Sequence, residues 1–109
     1  MDPTEPVLTW TEQEFQRHVV AFARTHGWTV RVMDQRNARG VLRAQSRDQR
    51  GWPDLKCLRG TTALWVELKT VTGGTTELQI ERISQLTAAG ETVMVVDPRG
   101  WSALQEVLS

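Results

Sequence analysis

A largely apolar set of residues early in the chain recurs at the spacing of one face of a helix. Its members are Phe15, Val19, Phe22, Ala23 and, at the polar end, His26. Thr11 and Glu14 have the spacing of a capping box, and Gly27 stands where such a helix would end. We therefore expect a helix from Thr11 to His26, after a loosely ordered lead-in over residues 1–10 that holds two prolines and no clear period.

The rest of the chain predicts four strands and two further helices. The strands are expected at residues 28–33, 53–58, 63–70 and 92–96, and the helices at residues 77–89 and 101–108. Gly60–Thr61 predicts a tight turn between the second and third strands. The last strand is almost wholly apolar, which is typical of a centrally buried strand. The predicted order is α-β-β-β-α-β-α, and the fold class is α/β.

Length and composition narrow the kind of protein. At 109 residues the chain is expected to be a single domain, 1–109, whose modest core would gain from dimerisation. Cys57 is the one cysteine, so no internal disulfide is expected. No apolar run approaches the roughly 18 residues of a membrane span, and the first residues do not resemble a signal peptide. We expect a cytoplasmic protein without membrane contact.

Arginine is concentrated in one stretch of a chain whose net charge is zero. Residues 31–50 hold six arginines against two aspartates. Residues 34–51 have few apolar positions, which predicts a long loop, and long loops in small domains tend to be functional or disordered. The arginines predict either contacts with phosphate groups or a solvated loop, and composition alone does not choose between the two.

Candidate chemistry lies on the second and third predicted strands. Alternation along the third strand puts Trp65, Glu67 and Lys69 on the face opposite the apolar core residues. If Gly60–Thr61 is a two-residue turn, Asp54 lies directly across from Glu67, with Cβ atoms about 5 Å apart. Facing carboxylates destabilise a strand pair unless a cation lies between them, and a few hard oxygen ligands suit Mg²⁺ or Mn²⁺. Lys69 would then hold or deprotonate an attacking water and offset charge on a phosphate. The alternative is an ordinary Glu67–Lys69 surface pair, with Asp54 capping a turn.

Several motifs follow one another along residues 9–108. They are Glu12–Gln16 (E-Q-E-F-Q), Gly27–Trp28, Gly51–Leu55 (G-W-P-D-L), Glu67–Lys69 (E-L-K), Gln79, Ala88–Gly90 (A-A-G) and Pro98–Trp101 (P-R-G-W). The ordered set resembles the VRR-NUC family of the PD-(D/E)xK restriction-endonuclease-like superfamily, in the small stand-alone form of phages and bacteria. The P-D and E-x-K motifs alone are a loose pattern, and the ordered set is more specific.

The resemblance implies a restriction-endonuclease-like core, with a central mixed β-sheet flanked by helices. It implies that Asp54 and Glu67 are metal ligands and catalytic residues, often joined by the main-chain carbonyl of Leu68. Lys69 corresponds to the catalytic lysine of the family.

Two further residues correspond to functional positions of the family. Glu14 matches an acid that a family helix supplies as a metal ligand, and Gln79 matches a glutamine beside the active centre. Each residue also fits a structural interpretation as part of a capping box, Glu14 with Thr11 and Gln79 with Thr76. Trp52 either packs or stacks on an exposed base.

The function implied is that of a Mg²⁺-dependent DNA endonuclease, with Mn²⁺ as a substitute, acting on branched DNA such as Holliday junctions. Symmetric cutting of a junction requires two active sites, which predicts a homodimer. The alternatives are a flap- or sequence-directed nuclease with the same chemistry, or a DNA-binding module without activity. A nuclease function would also favour DNA contacts by the arginines of the predicted loop, residues 34–51. The predicted contact residues are Arg36, Arg39, Arg43, Arg47 and Arg50.

Overall fold

The computed structural model describes residues 9–33 and 46–109. The helices are α1 (Glu12–Thr25), α2 (Glu77–Ala88) and α3 (Trp101–Leu108), and the strands are β1 (Thr29–Val32), β2 (Leu55–Arg59), β3 (Thr62–Leu68) and β4 (Val93–Val96). Short 3₁₀ helices lie at Arg47–Gln49 and Pro98–Gly100. The order differs from the predicted one by these two 3₁₀ helices. Within the described residues, no helix is long and apolar enough to cross a bilayer.

Helix α1 has the caps that its sequence predicts. Thr11 Oγ1 accepts a 3.1 Å hydrogen bond from the N–H of Glu14, and the Glu14 carboxylate accepts one from the N–H of Thr11. After the C-cap residue His26, Gly27 adopts a φ of 85°, a conformation that is unfavourable for residues with a Cβ atom. The start of α1 is therefore held at a defined place, which matters because an acidic residue of its first turn reaches the candidate site.

The four strands form one mixed sheet in the order β1-β2-β3-β4. Strands β1, β2 and β3 pair antiparallel, whereas β3 and β4 pair parallel. Arg59 pairs with Thr62 across the two-residue turn, in which Gly60 has a φ of 58°. This turn sets Leu55 opposite Val66, so the predicted hairpin and its register are confirmed.

The apolar core lies between one face of the sheet and the helices α1 and α3. Alternate residues of β3, Leu64, Val66 and Leu68, point into it. Cys57 is also fully buried there, and burial raises the pKa of its thiol to about 11. The opposite face of β3 carries Trp65 and Glu67, and α2 approaches that side of the sheet. Helices therefore flank the mixed sheet.

One sequence expectation about burial is wrong. β4 is an edge strand of the described sheet, not a central one, and Val95 is 50% exposed. An apolar run indicates that a strand is buried, but it does not show whether the strand lies at the centre or at the edge of the sheet. Trp10, assigned to the lead-in, stacks on His18 with ring centroids 4.2 Å apart. The predicted loop contains the 3₁₀ helix Arg47–Gln49. Residues 1–8 and 34–45 lie outside the described residues.

Candidate metal centre

Three carboxylates from distant parts of the chain meet at one end of the β2–β3 hairpin. Glu12 is the first residue of α1, Asp54 directly precedes β2, and Glu67 lies near the end of β3. One carboxylate oxygen from each lies within 4.8 Å of the others. This acidic group could hold a metal ion.

Glu67 is fully buried, with 0% of its surface exposed. Among the described residues, neither of its carboxylate oxygens has a hydrogen-bond partner. Burial raises its pKa to about 9, with further contributions from the adjoining Asp54 carboxylate and from Glu12, while Lys69 acts in the opposite direction. A buried carboxylate without partners is costly, so this side chain needs either a proton or a cation. Its burial also shows that the surface-pair alternative is wrong.

The position of Asp54 follows from the hairpin register. The observed pairing ends at Leu55 and Val66, and the same register counted on by one residue sets Asp54 opposite Glu67. Its Oδ2 accepts a 2.7 Å hydrogen bond from the N–H of Leu68, and its carbonyl oxygen accepts one from the N–H of Met33. Asp54 is thereby fixed to the strands on both sides. The contribution of the Leu68 carbonyl to metal binding stays a prediction.

The helix acid that reaches the group is Glu12, and Glu14, expected in that role, forms the capping box of α1. Partial burial, followed by the nearby Asp54, raises the pKa of Glu12, and Lys69 lowers it. Glu12 lies three residues before the buried Phe15 and so continues the core-facing stripe of the helix. That spacing is the sequence signal that could have identified it.

Lys69 and Gln79 are in direct contact beside the carboxylates. Lys69 Nζ donates a 2.8 Å hydrogen bond to Gln79 Oε1. The same oxygen accepts a 2.9 Å hydrogen bond from the N–H of Thr76, which completes the capping box of α2. One Gln79 side chain therefore caps α2 and also contacts Lys69, and its place beside an active centre stays a prediction.

The segment before Asp54 is held by a residue that sequence reasoning missed. Arg82 of α2 is only 6% exposed, and its guanidinium donates hydrogen bonds of 2.9 Å and 3.0 Å to the carbonyl oxygens of Arg47 and Arg50. A single arginine on an amphipathic helix has no sequence signal for burial, because its partners are main-chain carbonyls. Gly51 has a φ of 81°, and a Cβ there would lie 2.7 Å from the side chain of Leu78.

Trp52 is engaged by its neighbours, as the packing interpretation predicts. Its Nε1 donates a 2.8 Å hydrogen bond to the carbonyl oxygen of Asp48, and its ring stacks on Trp65 with centroids 5.7 Å apart. The guanidinium of Arg82 also lies over the ring.

Of the five predicted DNA-contacting arginines, only Arg47 and Arg50 lie within the described residues. Arg47 forms an exposed ion pair with Glu81, which lowers the pKa of that carboxyl. Arg50 is exposed, and its carbonyl oxygen accepts from Arg82. The other predicted residues, Arg36, Arg39 and Arg43, lie outside the described residues. Contact of these five with DNA stays a prediction.

Comparison of the chain with protein-family models, with curated proteins and with solved structures finds no match. The VRR-NUC resemblance therefore rests on the motifs alone and stays a prediction.

Proposed function

We propose that this protein is a metal-dependent nuclease that hydrolyses phosphodiester bonds of DNA on a restriction-endonuclease-like core. The observation that carries the proposal is the buried Glu67 carboxylate, whose two oxygens have no partner in the described chain. It lies close to two further carboxylates and two residues before Lys69, which directly follows β3. Such an arrangement is costly without a ligand and suits a site for a cation and a phosphate.

The donor set favours Mg²⁺ or Mn²⁺. Glu12, Asp54 and Glu67 offer hard oxygen ligands and are too few to enclose an ion, which leaves positions for water and substrate. A bound divalent cation would supply positive charge to the phosphate oxygens and lower the pKa of the attacking water.

Lys69 is the residue we assign to the chemical step. Its amine is held by Gln79 and lies close enough to Glu12 and Glu67 to affect the pKa of both. In the proposed reaction the water oxygen forms a bond to phosphorus while one of the two ester P–O bonds breaks in line. Lys69 orients the water and offsets negative charge on the phosphate. The attacking water releases its proton to solvent, and the departing oxygen takes up a proton from solvent.

The finer part of the proposal concerns the substrate and the assembly. A preference for branched DNA such as a four-way junction, and a symmetric dimer to cut it, are supported by the motif resemblance alone. They are tested separately from the chemistry, by a substrate panel and by gel filtration at micromolar concentration.

The decisive experiment is cleavage of labelled single-stranded, duplex, flap, fork and four-way junction DNA with Mg²⁺, Mn²⁺, Ca²⁺ or EDTA. Wild type is compared with Glu67→Gln and Lys69→Ala, and with Glu106→Gln as a matched change at an exposed glutamate of α3. We expect cutting only with Mg²⁺ or Mn²⁺, and a loss of at least about 100-fold in Lys69→Ala.

Two outcomes would contradict the proposal. Cleavage that persists in both site variants would indicate a contaminating nuclease or another site. Binding without cleavage of any substrate, by wild type and Glu67→Gln alike, would favour a DNA-binding module without activity.

A further inference from the structure

We propose that Arg31 and Lys56 bind a phosphate of the substrate strand adjacent to the phosphate that is cut. This inference rests on the proposed function, since it assigns a second contact to the same substrate. It goes beyond the arginine loop, because both residues lie on strands of the sheet.

The sheet register places these two side chains together. Arg31 of β1 pairs with Lys56 of β2, and Lys56 pairs with Trp65 of β3. Residues directly opposite each other in antiparallel strands project from the same face of the sheet. That face is the one opposite the apolar core, because Val30 and Cys57, the neighbours of Arg31 and Lys56, are core residues. Arg31 and Lys56 therefore share the face that carries Glu67.

The same register places the pair next to the acidic group. Asp54 precedes Lys56 by two residues on the hairpin, and Glu67 follows Trp65 by two residues. Two residues along a strand span about 6.7 Å. That distance corresponds to one nucleotide of an extended nucleic-acid backbone. A strand with one phosphate at the acidic group would thus present its neighbouring phosphate to Arg31 and Lys56.

No ion pair within the described chain neutralises the charges of Arg31 and Lys56. Arg31 is exposed, Lys56 is partly exposed, and neither forms an ion pair with a described residue. The Lys56 ammonium lies 4.8 Å from the centre of the Trp65 ring, which holds it on the face of the sheet. Like charges directly opposite each other on paired strands are destabilising. An anion between them offsets this repulsion, and the guanidinium of arginine is suited to bidentate contact with a phosphate.

The test is the salt dependence of DNA binding in Ca²⁺, measured by fluorescence anisotropy. The variants are Arg31→Gln, Lys56→Gln and the double variant, with Arg17→Gln as a matched control at an exposed arginine of α1. Each lost phosphate contact should reduce the slope of log K against log salt by about 0.9. We expect reductions of that size in each single variant and about twice that size in the double variant, with no change in the control. Equal slopes in all proteins, or no DNA binding by wild type, would overturn the inference.

A second measurement locates the contact on the substrate. Single neutral methylphosphonate linkages are placed next to the cut, or several nucleotides away, in a DNA that wild type cleaves. We expect the adjacent linkage to slow wild type and to have little further effect on the double variant. An equal effect on both proteins would place the pair elsewhere on the DNA.

The two proposals fail in different ways. If the salt slopes of all variants are equal while wild type still cleaves DNA, only the assignment of Arg31 and Lys56 is wrong. If the variants show the expected reduction in salt slope but wild type cleaves no DNA, Arg31 and Lys56 remain nucleic-acid contacts and the proposed nuclease activity is wrong.

Discussion

The guanidinium carbon of Arg82 lies 4.9 Å from the centre of the Trp52 ring. The same buried guanidinium donates to the carbonyl oxygens of Arg47 and Arg50, so one side chain of α2 holds the segment that leads into Asp54. The position of a candidate metal ligand thus depends on a residue in another element, outside the acidic group.

Replacing Arg82 by methionine should destabilise the protein. The substitution keeps much of the side-chain volume but removes the donors to two partly buried carbonyl oxygens, and a hydrogen bond of a charged group contributes about 1.5–3 kcal/mol. Urea unfolding would measure the loss, with Arg17→Gln as an exposed control. Metal affinity should fall as well, because Asp54 is less well held. A variant as stable as wild type would show that the contacts of Arg82 make no net contribution to the free energy of unfolding.

The metal-free protein should lose stability as the pH rises from about 4.5 to about 9, the interval between the ordinary pKa of Glu67 and its pKa in the fold. In this interval the folded protein retains a proton on Glu67 that the unfolded chain has released, so rising pH favours unfolding. The loss approaches about 1.4 kcal/mol per pH unit for a single proton. Thermal or urea unfolding at several pH values in EDTA measures it.

The Glu67→Gln variant is the control for this pH dependence. It cannot ionise at residue 67, so its stability should change much less over the same interval. Mg²⁺ should also flatten the wild-type profile by binding the carboxylate form. A wild type that gains stability over this interval, or a variant with an equal slope, would contradict the assignment.

Glu12→Gln should weaken metal binding more than Glu14→Gln. Glu12 belongs to the acidic group, whereas a glutamine at residue 14 can still complete the capping box. We expect a loss of more than about tenfold in Mn²⁺ affinity for Glu12→Gln, since loss of a supporting residue alone often costs that much. Titration calorimetry with Mn²⁺ measures both variants. The reverse order would return the role to Glu14, as the motif resemblance predicts.

Two substitutions of Gln79 should separate its two contacts. Gln79→Ala removes both the cap and the partner of Lys69, so stability should fall by about 1 kcal/mol and cleavage should slow. Gln79→Glu can keep the capping box but places a negative charge beside Lys69, so stability should persist while cleavage slows. Unfolding and single-turnover cleavage are measured on both variants. Equal stability of the two would show that the cap contributes little.

Much of the fold and part of the site could be predicted from the sequence, because these features depend on local rules. The turn at Gly60–Thr61 sets the hairpin register, and counting across it places Asp54 opposite Glu67. The spacing of Glu12 to Phe15 indicates which side of α1 Glu12 lies on, but its meeting with Asp54 and Glu67 depends on how the helix docks on the hairpin. Burial of Arg82 likewise depends on carbonyl groups of a distant segment.

The three carboxylates also connect the first turn of α1 to the β2–β3 hairpin. Asp54 and Glu67 belong to one hairpin, whereas Glu12 belongs to a helix that docks on it. A cation held by all three would act as a cross-link between helix and hairpin and would favour the docked form by mass action. Chelation should then loosen the first turn of α1 before the hairpin, and amide hydrogen exchange in that turn should quicken while exchange in β2 and β3 stays slow.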